Sequence, residues 1–600
     1  MTNSEFSLEG NSNFDQFFDS VLVKTSFGLY EESNKLITEL DSSNFNTCQQ
    51  AMISSLRALN LSESGSTEEA LKLSSPLLED AQQDPSCKIL LHLMHIQILL
   101  KMRDIESVAP YIPILNNLME NTPKSSTYYN YINPWYNEIL GIYYRYSGDM
   151  EKSKTHLTES ISLSGSLNMD YRKLQALNHL AFLNQVEGDF EKSVELLNEC
   201  LDISDYGGAS DKLKAGYFIN LGYILWQKGN LDGSLQTYDQ AINLIKNFEN
   251  RELMGIIKLN KGLVYIEKIH LESAKAHLLE AKELLSDSSN KVLVANVYNN
   301  LGIIYDLTGE LQKSMEFYKS AENIYENVPK SVDSTHFLAR TKHNIGILLR
   351  RQNQLERSKK YLMEAVDLFE VSHSPIEMVS SNYELLIIYL NQDDIDGANY
   401  YLSKIEELKN SSDEIRIELL YRISKAEILG NSSRLINRVE AQKILNTLIE
   451  SEIVSPDLKI HTMLNLCELL LNEFKVTESR DVLVDIAKLL GKLTELASEL
   501  DSILLNLEIS ILESRLLLIK GDIDGSSKIL EESLVIAQEH NMEHIILKIK
   551  SEELKLQKDI QKWEDLLHHG VSILEIIRKS ELERYIDHVK NSGLLHQFDQ

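Results

Sequence analysis

Proline is scarce in this chain, 9 in 600 residues, and nowhere does it gather with glycine and serine into a linker. A chain of this length without linkers is either one very large globule or a repeat array, and the array is the first to test. Cysteine is scarcer still. Cys48, Cys87, Cys200 and Cys467 are widely separated and form no C-x-x-C pair, so neither a zinc site nor a disulfide framework is expected. Basic residues are outnumbered, 60 Lys and Arg against 90 Asp and Glu, for a formal charge of −30. That balance opposes binding to nucleic acid, which needs phosphate neutralisation, and binding to anionic membrane surfaces. No apolar run approaches the ~20 residues that span a bilayer. The opening MTNSEFSLEGNSNFDQ lacks a basic region followed by an apolar one. The expected location is the cytoplasm.

Runs of alternating β-branched residues are also missing. Instead, from Phe17 onward apolar residues recur every three or four positions, the signature of helices, so the expected fold class is all-α. The clearest stretch is ANVYNNLGIIYDLTGELQKSMEFYKSA, residues 295–321, in which two amphipathic segments flank a break at Gly309. Small residues stand at Gly302, Ser314 and Ala321, where two helices of a hairpin would touch. The site of Gly302 recurs at Gly141, Ala181, Gly222, Gly262 and Gly346, with Leu386 in the last copy; successive sites lie 40, 41, 40, 40, 44 and 40 residues apart. Twelve residues on stand Ser153, Ser193, Ser234, Ala274, Ser314, Ser358 and Ala398. Seven further stand Ser160, Cys200, Ala241, Ala281, Ala321 and Ala365, with Ile405 a poorer match. A large residue follows four positions after each second site, among them Leu157, Tyr238, Leu278, Tyr318 and Leu362, and is expected to fill the groove the small residues leave. Gly148, Gly188, Gly229 and Gly309 end the first helix of their pairs by supplying a left-handed turn.

Leu301-Gly302 with Tyr305, and Leu140-Gly141 with Tyr144, resemble the tetratricopeptide repeat. The period near 40 and the missing closing proline make the chain similar to the longer-helix variant of kinesin light chains and spindle-orienting adaptors. The resemblance implies a right-handed α-solenoid whose first helices line a concave groove. The expected organisation is an arm at 1–14, degenerate hairpins at 15–125, the core array at 126–410 and degenerate hairpins again at 411–544. A helical cap at 545–592 and a tail at 593–600 complete it. Ser33, Ala70, Val108, Ala441, Ser479 and Ser526 mark second helices in the outer copies. The total is roughly thirteen hairpins, each burying a face on its neighbours.

Two residues before the small site come Asn220, Asn260, Asn300 and Asn344, in consecutive repeats, with His179 at the same place one repeat earlier. Asparagine is a poor mid-helix residue, about half a kcal/mol worse than alanine. Its amide carries both a donor and an acceptor, which suits the main chain of an extended peptide. The pattern resembles that of kinesin light chains, spindle adaptors and bacterial peptide-pheromone receptors, in which an asparagine ladder grips the ligand backbone. The competing explanation is that these amides bond the adjacent helix. Four such bonds net roughly 2–6 kcal/mol, whereas micromolar binding takes about 8, so side-chain pockets are needed as well. Tyr146, Tyr223 and Trp226 are aromatic candidates, the alternative being that they fill gaps between repeats. Arg340, His343, Arg350 and Arg351 form a basic cluster suited to an acidic group of the partner, the alternative being a solvated face.

The order His540-Asn541-Met542-Glu543-His544 matches the H-x-x-E-H of some metalloproteases. That chemistry needs both histidines on one continuous helix, and here a turn between repeats is expected. Glycine-rich phosphate loops and G-x-S-x-G are absent, and His92, His95, His568 and His569 lack a third ligand at sensible spacing. The reading is a non-enzymatic adaptor without metal or cofactor that binds an extended segment of another protein or a peptide. The alternative is a peptide-responsive regulator.

Overall fold

The computed structural model describes residues 12–40, 45–78, 85–102, 104–124, 127–246, 250–268, 270–288, 290–412, 414–451, 456–499, 502–540, 542–568, 575 and 581–590. Among these residues there is no strand. The first helices in chain order are α1 (Ser12–Ser26), α2 (Tyr30–Leu40), α3 (Thr47–Ser64), α4 (Thr67–Ser74) and α5 (Pro85–Lys101). A short α6 (Ile105–Val108) and α7 (Tyr111–Glu120) follow. Next come α8 (Thr127–Ser147), α9 (Met150–Ser166), α10 (Asp170–Val186), α11 (Phe190–Tyr206), α12 (Asp211–Gln227) and α13 (Leu231–Ile245). The middle holds α14 (Arg251–Glu267), α15 (Leu271–Leu284), α16 (Lys291–Leu307), α17 (Leu311–Glu326), α18 (Val332–Arg351) and α19 (Leu355–Val371). Then come α20 (Pro375–Asn391), α21 (Ile395–Asn410), α22 (Ile415–Gly430), α23 (Leu435–Ile449), α24 (Pro456–Thr477) and α25 (Arg480–Glu499). The last are α26 (Ile503–Lys520), α27 (Ile523–Glu539), α28 (Glu543–His568) and α29 (Leu582–Lys590). Two compact units divide the chain: Met1–Asn260 with Val328–Ser334, and Lys261–Asn327 with Thr335–Gln600. Each is an α-solenoid of stacked antiparallel hairpins.

One contact builds every clear hairpin. A Cβ placed on Gly302 would stand 2.5 Å from the Tyr318 ring. On Gly141 and Gly222 it would stand 2.6 Å from Leu157 and Tyr238, and on Gly262 and Gly346 2.8 and 2.7 Å from Leu278 and Leu362. The glycines are therefore spaces that the large residue of the second helix occupies. A hydrogen bond locks the same approach: Ser153, Ser193, Ser234 and Ser358 donate from Oγ to the carbonyls of Gly141, Ala181, Gly222 and Gly346 at 2.6–2.7 Å. Each of these hydroxyls is buried and satisfied, as an interior polar group must be.

The turns follow local rules. Gly148, Gly188, Gly229 and Gly309 all have positive φ, and where glycine is missing Asn353 and Asp393 take the left-handed conformation instead. Asp149, Asp189 and Asn230 then cap the second helix by accepting from the N–H of Lys152, Lys192 and Gly233.

Several sequence expectations change. Helix α1 starts at Ser12 and buries Phe14, inside the stretch read as a loose arm; residues 1–11 and the 593–600 tail lie outside the described residues. Ser33, Ala70, Val108, Ala441 and Ser526 are fully buried on second helices, but Ser479 sits in the turn before α25. The degenerate copies carry too few small residues there to set register. The cysteine reading also fails. Cys48 on α3 and Cys87 on α5 form a disulfide, with Cα atoms 6.2 Å apart. Their separation of 39 residues is close to one repeat, so positions that are distant in sequence are side by side on successive hairpins. Cys200 and Cys467 are free and buried, and burial pushes the Cys467 thiol up to about 12.

The packing contact predicts a rescue. Gly302→Ala should cost about 1–3 kcal/mol through overpacking against Tyr318. Adding Tyr318→Leu, which recreates the natural Ala181 and Leu197 pairing, should recover at least half of that loss in urea unfolding.

Candidate functional site

In the first unit the inward face of the early first helices is filled by the protein's own side chains. Asp19 on α1 accepts from the hydroxyls of Tyr131 on α8 and Tyr171 on α10, both at 3.0 Å. The Trp135 indole donates to Gln97 at 3.0 Å, and the Arg172 guanidinium lies 3.6 Å from the centre of the Trp135 rings. Arg172 also faces Glu138 at 3.5 Å, both side chains almost fully buried. The backbone N–H of Ser210 donates to the Phe27 carbonyl at 2.9 Å, so the turn after α1 closes on the start of α12.

Beyond that plug the face opens. Asn220 on α12 is exposed, and its Nδ2 donates to Asn178 Oδ1 on α10 at 2.8 Å. Half-buried Asn260 on α14 lies near the buried Tyr238 hydroxyl, and burial drives that phenol far above its ordinary range. His179 and Tyr223 are half-buried. Trp226 is buried against Tyr223, ring centroids 5.2 Å apart, and fills a gap between helices instead of offering groove surface. Its indole nitrogen has no partner among the described residues. Tyr146 is half-buried under the Arg145 guanidinium, 4.2 Å from its ring.

In the second unit the ladder residues are interior. Asn300 is 1% and Asn344 8% exposed. Asn299, which the sequence reading passed over, links them. Its Oδ1 accepts from Thr341 Oγ1 at 3.1 Å and Asn344 Nδ2 at 3.3 Å, and its own amide reaches Asn300 Oδ1 at 3.5 Å. Neighbouring first helices α16 and α18 are thus tied together by the amides, the competing explanation for them.

The basic cluster is corrected more sharply. Arg350 Nε lies 2.8 Å from Glu384 on α20, both buried, and Arg351 is paired with Asp306 on α16. Burial pushes the Asp306 carboxyl up, with Arg351 pulling the other way. His343 meets the Ser381 hydroxyl at 2.8 Å. A buried guanidinium cannot stay uncompensated, so these arginines are neutralised inside the fold and are not offered to a ligand. Arg340 differs: it is half-buried over Phe337 at 5.3 Å, and its Nε has no partner among the described residues. Glu384 stands two residues before Leu386, at the ladder position of the next repeat, and that register could have flagged the pair.

The metalloprotease order is broken by the backbone. Helix α27 ends at Glu539, His540 caps it, and α28 begins only at Glu543; Asn541 lies outside the described residues. Among the described residues no three His, Cys, Asp or Glu side chains gather as a metal site. His92 and His95 are buried, and burial first, then His92, drives His95 down to about 4. No helix among the described residues is long and apolar enough to cross a membrane.

Tetratricopeptide-repeat family profiles match residues 215–248, 295–328 and 338–375. These segments are tetratricopeptide repeats. The profiles name the repeat itself and do not bear on the likeness to kinesin light chains. Among curated proteins, response regulator aspartate phosphatase A of Bacillus subtilis is 24% identical over 216 residues, which is 32% of this chain. The match spans about half, 56%, of that relative. The quorum sensor NprR of B. thuringiensis in its apo form aligns with a TM-score of 0.47 at 13% identity, over 61% of this chain and all of that one. A Rap protein complexed with competence and sporulation factor aligns at 0.48 and 11% identity, over 60% and 98%.

Two outcomes follow from these repeats' buried charges. Burial pushes the Glu138 carboxyl up to about 7 against the pull of Arg172. The folded chain then holds a proton that the unfolded carboxylate, with its ordinary value of 4.5, releases. Stability present below pH 4.5 is lost as pH rises through about 7, by at most about 1.4 kcal/mol per unit. Denaturant melts from pH 4.5 to 8 should show this slope, and Glu138→Gln should flatten it. Arg350→Met should cost about 3–5 kcal/mol by stranding Glu384. Replacing Glu384 by Leu as well should return at least half of that loss.

Proposed function

We propose that this tetratricopeptide-repeat protein binds an extended peptide, or an extended segment of a partner protein, along the first helices α10, α12 and α14. The observation that carries this is exposed Asn220 bonded to half-buried Asn178, with half-buried His179, Tyr223 and Asn260 beside them. Asn220 keeps its Oδ1 for a main-chain N–H, and among the described residues nothing else bonds that amide. On this reading the ladder is shorter than four rungs, because the amides on α16 and α18 are engaged with each other. One or two rungs net about 1–3 kcal/mol, so apolar pockets beside them carry most of the affinity.

The relative at 24% identity is named a response regulator aspartate phosphatase. It favours a regulator that responds to its peptide over a passive scaffold. The proposal remains one of binding without catalysis by this chain, with a cytoplasmic site of action. The partner class is a protein or peptide.

The test compares the wild type with Asn178→Ala/Asn220→Ala/Asn260→Ala in affinity capture from the native cell, read by mass spectrometry. Alanine is the better helix former, so circular dichroism should be unchanged while the specific partner is depleted at least tenfold. Equal recovery of every partner by both proteins would sink the reading.

A further inference from the structure

The last helix, α29, does not continue the stack of hairpins. It packs against α24 and α26, both first helices of their pairs, and its polar contacts reach α28, the next first helix. That is the face on which a solenoid of this kind takes a ligand. Leu582, Tyr585, Ile586 and Val589 are all buried there, at spacing i, i+3, i+4, i+7, one stripe of a helix. The stripe is what an amphipathic helix presents to a groove.

The face is built to receive that stripe. Tyr585 donates its hydroxyl to Glu508 on α26, and Lys548 on α28 reaches both Glu508 oxygens at 2.7 Å. The Tyr585 ring has two cations against it, Arg515 and Lys548, each 4.6 Å from its centroid. Glu581, just before the helix, meets Lys555 at 3.2 Å and Arg515 at 3.7 Å. Arg515 is held in turn by Glu552 at 2.5 Å. Without α29 these charges still satisfy one another, so the empty face would be polar at its centre and compatible with water. A helix of nine residues is marginal by itself, so α29 owes its helical form to being seated.

We propose that the face of α24, α26 and α28 is a docking site for a tyrosine-bearing amphipathic helix, and that α29 is its built-in occupant, which a partner helix of the same stripe displaces. The partner carries an acidic residue at the start, then Leu, Tyr-Ile and Val at the spacing of residues 582–589. This site is separate from the peptide site on α10–α14 and does not depend on it.

The probe is a fluorescein-labelled synthetic peptide of residues 579–592, followed by anisotropy against the full-length chain. Ile586→Asp should unseat α29, and that variant should bind the peptide at least tenfold more tightly than the wild type, whose own helix competes. Peptides carrying Tyr585→Ala or Ile586→Asp should bind at least tenfold more weakly, and Glu508→Gln in the protein should weaken binding of the unaltered peptide. A chain ending at Ser580 serves as the second variant. If either variant folds, by circular dichroism and a cooperative melt, yet shows no saturable binding, the proposal is wrong. If both fail to fold, α29 is part of the core and the proposal is equally overturned. Dimers that form through α29 and ignore the peptide would assign the face to a second copy instead.

Discussion

Everything in this protein depends on how closely two helix backbones approach within each hairpin. At Gly302 and its glycine counterparts the first helix gives up its side chain, and a tyrosine or a leucine from the second helix takes the space. A serine twelve residues on then donates to the carbonyl at that spot, in four of the clear copies. The pairing is both steric and polar, so a methyl group on the glycine or a larger residue at the serine disturbs the same contact. Because each hairpin buries its outer face on the next, small errors in this approach would accumulate along the stack.

That regular scaffold carries an irregular, highly polar inner face. Several charges buried among the described residues are answered locally: Glu138 by Arg172, Glu384 by Arg350, Asp306 by Arg351, Glu508 by Lys548 and Tyr585. Buried pairs of this kind add little net stability, but losing one member strands the other. They fasten successive first helices to one another without adding bulk. The face is therefore not a uniform groove. In the first unit it is closed by Asp19 and its two tyrosines near α1 and open around Asn220; in the second it is sealed by amides between α16 and α18 and occupied by α29 against α24 and α26.

The repeat was legible because its requirement is local and recurs: small residue, large residue, glycine turn, each at fixed spacing. The degenerate copies at both ends were legible as helices for the same reason, through Ser33, Ala70 and Ser526, although Ser479 misled because a serine can equally well open a helix as pack within one. The candidate site was less legible. Asn220 and Asn344 occupy the same register position, yet one is exposed and the other buried. Asn178 stands opposite the first and Asn299 opposite the second, and no spacing rule tells which of the two pairs the fold buries. Cys48 and Cys87 seemed far apart until the repeat length was recognised as the distance between neighbours.

By itself, the sequence determined the unit of construction: an all-α hairpin of about forty residues, its turns, and the side chains that must be small. Those properties depend on residues within one or two helical turns of each other, or one repeat apart. The tertiary structure alone decided which polar groups remain for a ligand. Arginines that look like a binding cluster along one helix are consumed by carboxylates on the next, and the C-terminal segment that reads as a cap lies across three first helices. Availability is a property of the whole neighbourhood, because a buried charge or amide takes the nearest partner the fold provides, and that partner comes from a different repeat.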